Sequence, residues 1–219
     1  MTALLAGCDS APGRRAVETE NIAPDKILDF NVLYRSNCAG CHGSDGRGGA
    51  ATPLADPIYL GIAGDDVIRR ATADGIAGTP MPPFARRSGG MLTDEQIDAI
   101  VKGIRTRWAN ASAVAKIELP PYSDSQPGEA RRGGEVFAAY CASCHGAGGR
   151  GAKAGSSIVD ASYLALVSDQ GLRTTVIAGR PDLGAPDWRG NVRGTPMTPQ
   201  DISDVVAWLS AQRPARGAP

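Results

Sequence analysis

Cys38-Ala39-Gly40-Cys41-His42 and Cys141-Ala142-Ser143-Cys144-His145 hold four of the chain's five cysteines and both of its histidines. Two thiols three positions apart on one helical turn can each add to a vinyl group of a haem, and the adjacent histidine then faces the iron from the proximal side. The pattern predicts two covalent c-type haems and their iron. Cys38, Cys41, Cys141 and Cys144 would carry the thioether bonds, and His42 and His145 one axial bond each. A redox dithiol would need a thioredoxin-like βαβ pattern, and a zinc site would need further Cys or His ligands. The sequence offers neither.

The elements that must position these motifs occur twice. Each half has a helix running into the motif, with Tyr34 or Phe137 one turn before it, and a glycine-rich loop beyond it at residues 43–49 and 146–151. A Tyr-Leu pair (Tyr59-Leu60; Tyr163-Leu164), an Ile-Ala-Gly (from Ile76 and from Ile177) and a final amphipathic helix follow in both. Such internal repetition argues for two copies of one fold. In the first final helix Ile97, Ile100, Val101, Ile104 and Trp108 fall at helical spacing after Thr93 as N-cap, with Gln96 three residues on. In the second, Ile202, Val205, Val206 and Leu209 follow Thr198, with Pro199 at the first helical position and Asp201 at the third.

The 219 residues divide on this reading into a leader and tether (1–20), a first domain (21–118), a Pro-rich linker (119–128) and a second domain (129–219). Each domain has room for a core of roughly 90 to 100 residues, near the lower end of domain size. Domains this small bury little apolar surface alone, so haem is expected to supply much of each core and the haem-free chain to fold poorly. Lys plus Arg (23) balance Asp plus Glu (23), and each half is near neutrality by itself. Nucleic acid is not indicated as a partner.

These features resemble the class I cytochrome c fold, an all-α architecture in which N- and C-terminal helices cross and a haem sits in the pocket they form. The resemblance covers residues 24–213. It implies a methionine on a Pro-containing loop as the iron's sixth ligand, a soft thioether that raises the reduction potential. In the first half Gly78-Thr79-Pro80-Met81-Pro82-Pro83-Phe84 matches that loop, and Met81 is the expected ligand. Met91, its neighbour, is expected to pack as a hydrophobic residue at the helix entrance. In the second half two alignments compete. Aligned from Ile177-Ala178-Gly179 to the following aromatic, Ala185-Pro186-Asp187-Trp188 takes the place of Met81-Pro82-Pro83-Phe84 and puts Ala185 at the ligand position, whereas Gly194-Thr195-Pro196-Met197 repeats the sequence around Met81. Counting back from the last helix puts Met197 opposite Leu92, at a stapling position. The favoured expectation is that Met197 ligates, carried over the haem by a longer loop from Arg180 to Pro196. The competing one is an open or weakly held sixth position.

The fifth cysteine, in Leu5-Ala6-Gly7-Cys8, resembles the lipobox of bacterial lipoproteins, in which the cysteine becomes the lipid-carrying N-terminal residue. Haem attachment on the far side of the cytoplasmic membrane requires export, yet the seven residues before Cys8 are too short for a signal peptide. The precursor is expected to start further upstream. No apolar stretch approaches the ~18 residues of a membrane span.

Two haems, two helical domains and a lipid anchor at Cys8 resemble the two-domain cytochrome subunits that accompany terminal oxidases, quinol-oxidising complexes and photosynthetic reaction centres. The resemblance implies electron transfer on the periplasmic face of a bacterial cytoplasmic membrane, as a tethered carrier or a complex subunit with redox-protein partners, and not an enzyme. Near-zero net charge favours the tethered or subunit form, because long-range steering is weak. The alternative is a peroxidase-like haem enzyme or a small-ligand sensor using an open second haem. Against catalysis, both histidines are committed to iron, which leaves no distal acid or base of that type.

Overall fold

The computed structural model describes residues 22–190 and 194–214, and among these the regular elements are all helices, joined by loops, with only isolated bridges besides. Cys8 and the tether to residue 20 lie outside the described residues. Eleven α-helices follow one another among the described residues: α1 (Phe30–Asn37), α2 (Ala39–His42), α3 (Pro57–Ile62), α4 (Asp65–Asp74), α5 (Asp94–Trp108), α6 (Ala111–Val114), α7 (Ala130–Tyr140), α8 (Ala142–His145), α9 (Ala161–Leu166), α10 (Asp169–Ala178) and α11 (Pro199–Ala211). With α6 set aside, α1 to α5 and α7 to α11 are two passes through the same order.

The repeat extends to the caps. Asp56 and Asp160 open α3 and α9, each taking two backbone N–H groups on one carboxylate oxygen. Thr93 and Thr198 open α5 and α11 in full capping boxes with Gln96 and Asp201, which satisfies amides that the first turn leaves unpaired. The apolar stripes of these last helices turn inward as their spacing requires: Ile97, Ile100 and Ile104, and Ile202, Val205 and Leu209, are all buried.

In each half the first helix packs against the last. Phe30, Tyr34 and Trp108 make an edge-on aromatic cluster between α1 and α5, while Phe137 and Trp208 stack with ring centroids 4.5 Å apart between α7 and α11. Close approach is achieved from opposite sides. Gly103 of α5 receives the Phe30 ring in the first half, and in the second Gly133 of α7 lies where a Cβ would stand 2.0 Å from the Asp204 carbonyl oxygen.

One apolar cluster joins the two halves, beside a smaller separate one of Leu164, Leu172, Val206 and Leu209 in the second half. A continuous cluster of buried side chains runs from Leu33 and Ile104 through Ile58 and Leu60 to Ile177 and Val205, with α3 packed on α10. Independent cores were expected from the domain sizes. They join where α3 packs on α10. The Pro-rich segment is held as well. Buried Arg173 of α10 donates to the carbonyls of Pro121 and Tyr122 at 3.0 to 3.2 Å and pairs with Asp124. A guanidinium has five N–H donors, so one side chain fixes several backbone oxygens at once.

Candidate functional site

In each half the first helix ends at the first cysteine of the motif, and the rest of the motif forms one short helical turn. Cys38 and Cys141 are drawn inward and Cys41 and Cys144 are exposed, so each pair presents its sulfurs one turn apart. Burial, and next the neighbouring thiol, push Cys38 and Cys141 up to about 11. They are therefore neutral thiols at physiological pH. Among the described residues no three His, Cys, Asp or Glu side chains converge as a metal site.

Each histidine is set by a backbone carbonyl. His42 Nδ1 lies 2.8 Å from the Thr52 oxygen and His145 Nδ1 lies 2.9 Å from the Ser156 oxygen. A carbonyl only accepts, so Nδ1 carries the proton and Nε2 keeps its lone pair for a metal. Burial lowers the His42 pKa further than the Thr52 contact raises it, which keeps the ring neutral as a ligand must be. After each histidine the chain reverses through a glycine, Gly43 at φ 81° and Gly146 at φ 75°. A Cβ there would stand 1.7 Å from the Arg47 oxygen and 2.4 Å from the Gly151 oxygen. These turns bring residues 52 and 156 back over the imidazoles. In the first half the Tyr34 hydroxyl donates to the Gly43 carbonyl at 2.8 Å and braces the turn.

The segments expected to carry the sixth ligand follow α4 and α10. In the first half the Ile76 N–H donates to the Met81 carbonyl at 3.0 Å, and Met81 is part-exposed on that loop. In the second half the Arg180 N–H donates to the Ala185 carbonyl at 2.9 Å, the same closure at the same offset. Farther on, the Leu92 N–H donates to the Phe84 carbonyl and the Met197 N–H to the Trp188 carbonyl, at 2.8 and 3.0 Å. Met197 thus takes the place of Leu92. Both are 6% exposed, directly before the capping threonine, where a side chain staples against Ile97 or Ile202. The second half has one residue more between Trp188 and Met197 than the first has between Phe84 and Leu92, and it falls within the loop from Arg180 to Pro196. Met91, expected to pack, is 80% exposed. The chain turns at Gly89 with φ 91°, and Leu92 takes the inward position instead.

Three contributors were not legible as site residues. Thr52 and Ser156 act through carbonyls that any residue would supply. Arg180 donates from the second half's loop to the Gly49 carbonyl at 2.9 Å while pairing with Asp182, and so joins that loop to the turn beside His42. The doubling of the motif was the only sequence signal that could have led to the paired carbonyls.

Comparison with known proteins agrees with this doubled architecture. The family model described as cytochrome c oxidase, cbb3-type, subunit III matches residues 25–102 and again 128–209. The chain is 35% identical to the cbb3-type cytochrome c oxidase subunit FixP of Sinorhizobium medicae, over 66% of this chain and 50% of that one. It is 31% identical to the cbb3-type cytochrome c oxidase subunit CcoP of Rubrivivax gelatinosus, over 69% and 43%. It is 27% identical to the cytochrome bc1 complex cytochrome c subunit of Mycobacterium tuberculosis, over 84% and 62%. The chain spans about half the length of the FixP relatives it matches.

Proposed function

The chain belongs to the cytochrome c oxidase, cbb3-type, subunit III family and is a tandem c-type cytochrome of electron transfer with two covalent haem c groups, and from that premise we propose that it relays electrons within or beside a membrane respiratory complex, on the periplasmic face. Each haem would supply one-electron chemistry between Fe(III) and Fe(II). Cys38 and Cys41, and Cys141 and Cys144, would hold the two groups, with His42 and His145 as proximal ligands and Met81 as the first iron's sixth ligand. The observation that carries the reading is the pair of carbonyl-oriented imidazoles, His42 on Thr52 and His145 on Ser156, each directly after its two cysteines.

The chain's own contribution is positional. The Thr52 and Ser156 carbonyls hold each ring in one tautomer and raise its basicity as a donor to iron. The aromatic cluster of Phe30, Tyr34 and Trp108 and the Phe137–Trp208 stack keep water from the helix crossings behind the motifs. The shared core and the Arg180 bridge to Gly49 hold the halves in a fixed relation, which suits transfer from one to the other.

Among the described residues no helix is long and apolar enough to cross a membrane. Attachment would come from a lipid on Cys8 or from docking on membrane subunits. The test is purification from native membranes, with haem quantified in the complex and the N-terminus read by mass spectrometry. The proposal expects two haems per chain, co-migration with an oxidase or quinol-oxidising complex, and a diacylglyceryl mass on Cys8. A chain recovered only in the soluble fraction, with Cys8 unmodified, would remove the tethered reading.

A further inference from the structure

The two loops after α4 and α10 close in the same way on largely different sequences. Residues 75–84 and 179–188 are equal in length, both close by an N–H to carbonyl bond from the second residue to the seventh, and both begin at a glycine pressed on the loop's far strand. A Cβ on Gly75 would lie 2.7 Å from the Met81 oxygen and the Pro83 nitrogen, and one on Gly179 would lie 2.5 Å from the Pro186 carbonyl carbon and 2.7 Å from the Asp187 nitrogen. Phe84 and Trp188 end the two loops, and each accepts the N–H of the residue before the last helix's capping threonine. The two loops therefore share one count from the opening glycine to the carbonyls of Phe84 and Trp188, although the Phe84 N–H bonds to Thr72 and the Trp188 N–H to Ile177, one place further along the preceding helix. Ala185 stands where Met81 stands, and Met197 stands where Leu92 stands. A methyl group has no donor atom, and Met197 is committed to the helix entrance within the apolar core.

We propose that the second haem site, unlike the first, receives no methionine from this chain and binds a small neutral diatomic, carbon monoxide or nitric oxide, at the distal position of its ferrous iron. The inference rests on the haem reading above. Met197 is a packing residue of the α11 entrance. Ala185 is what separates the second site from the first. Binding of carbon monoxide forms one iron–carbon bond, transfers no electron and displaces no side chain of the ligand loop. With both histidines on the proximal side, the loop offers such a ligand no imidazole.

The test uses full-length holoprotein, with covalent haem first counted by the pyridine haemochrome assay. A count below two per chain refutes the haem reading itself. At two per chain, the dithionite-reduced protein is titrated with carbon monoxide, and one equivalent per chain is expected. Ala185→Met should abolish this binding and double the far-red band of methionine-bound ferric haem. Met197→Leu, which installs the residue found at position 92, should leave the far-red band, both reduction potentials and the carbon monoxide stoichiometry unchanged. The proposal is overturned by a wild-type holoprotein that binds none, by persistence of full binding in Ala185→Met, or by a Met197→Leu protein that loses far-red intensity and gains a second equivalent.

Discussion

Gly133 and Gly134 are adjacent in α7, yet they face different constraints, and substituting each by alanine measures how tightly α7 and α11 cross. Both changes remove a helical glycine, which by propensity alone favours folding by about 1 kcal/mol. At Gly134 the new Cβ meets only the Trp208 indole edge at 3.3 Å, which a small ring shift relieves. At Gly133 it meets backbone, the Asp204 oxygen at 2.0 Å and its carbonyl carbon at 2.6 Å, with the Trp208 Cβ at 2.7 Å. That backbone cannot yield locally, because the Asp204 carboxylate is held by the Glu129 N–H, Gln200 and Arg132. Overpacking costs about 1–3 kcal/mol where a core can adjust, and this site belongs at the upper end. After the propensity gain, Gly133→Ala should lose about 2 kcal/mol while Gly134→Ala is neutral or slightly stabilising. For a chain of this size the separation is roughly 4–8 °C in melting midpoint. Thermal unfolding of the holoproteins, followed by far-ultraviolet circular dichroism and haem absorption together, reads it out. Because α7 runs directly into Cys141, the haem signal should shift with the fold. Coincident midpoints for the two variants would refute the close-crossing argument.

Three further outcomes follow from the same geometry. Met81→Ala should lower the first haem's reduction potential and let that haem bind carbon monoxide, measured by redox titration and by the carbon monoxide difference spectrum; an unaltered potential would exclude ligation by Met81. Burial works to raise the Asp204 pKa, but the Glu129 N–H, Gln200 and Arg132 outweigh it and hold the carboxyl below its usual range. Its stabilisation is therefore present above the unfolded value near ~4 and is lost as pH falls through the lower folded value, so Asp204→Asn should flatten the acid limb of the stability profile in urea titrations. Arg173→Met should free the carbonyls of Pro121 and Tyr122 and the Asp124 carboxylate, costing about 3 kcal/mol, and should render residues 119–128 sensitive to limited proteolysis while leaving both haems attached.

Where chemistry and geometry fall within one helical turn, the sequence determined them by itself. Cys38, Cys41 and His42 are placed relative to one another by a single turn, as are Cys141, Cys144 and His145, so the spacing of the residue types carries the haem reading. The capping boxes at Thr93 and Thr198 and the apolar stripes behind them are equally local, and their periodicity fixes which faces turn inward. Only tertiary structure decided what depends on register across a loop or on groups that have no side-chain identity. The carbonyls that set the two imidazoles come from Thr52 and Ser156 because glycine turns fold the chain back there. The resemblance of Gly194-Thr195-Pro196-Met197 to the segment around Met81 pointed to a second methionine ligand. The hydrogen bonds to Trp188 and Ala185 place Met197 directly before the cap of the last helix and Ala185 on the loop, a register that backbone pairing counts between fixed points and that a repeated tetrapeptide does not reveal. The joining of the two expected cores was likewise invisible, because an apolar face on α3 or α10 does not name the surface that will cover it.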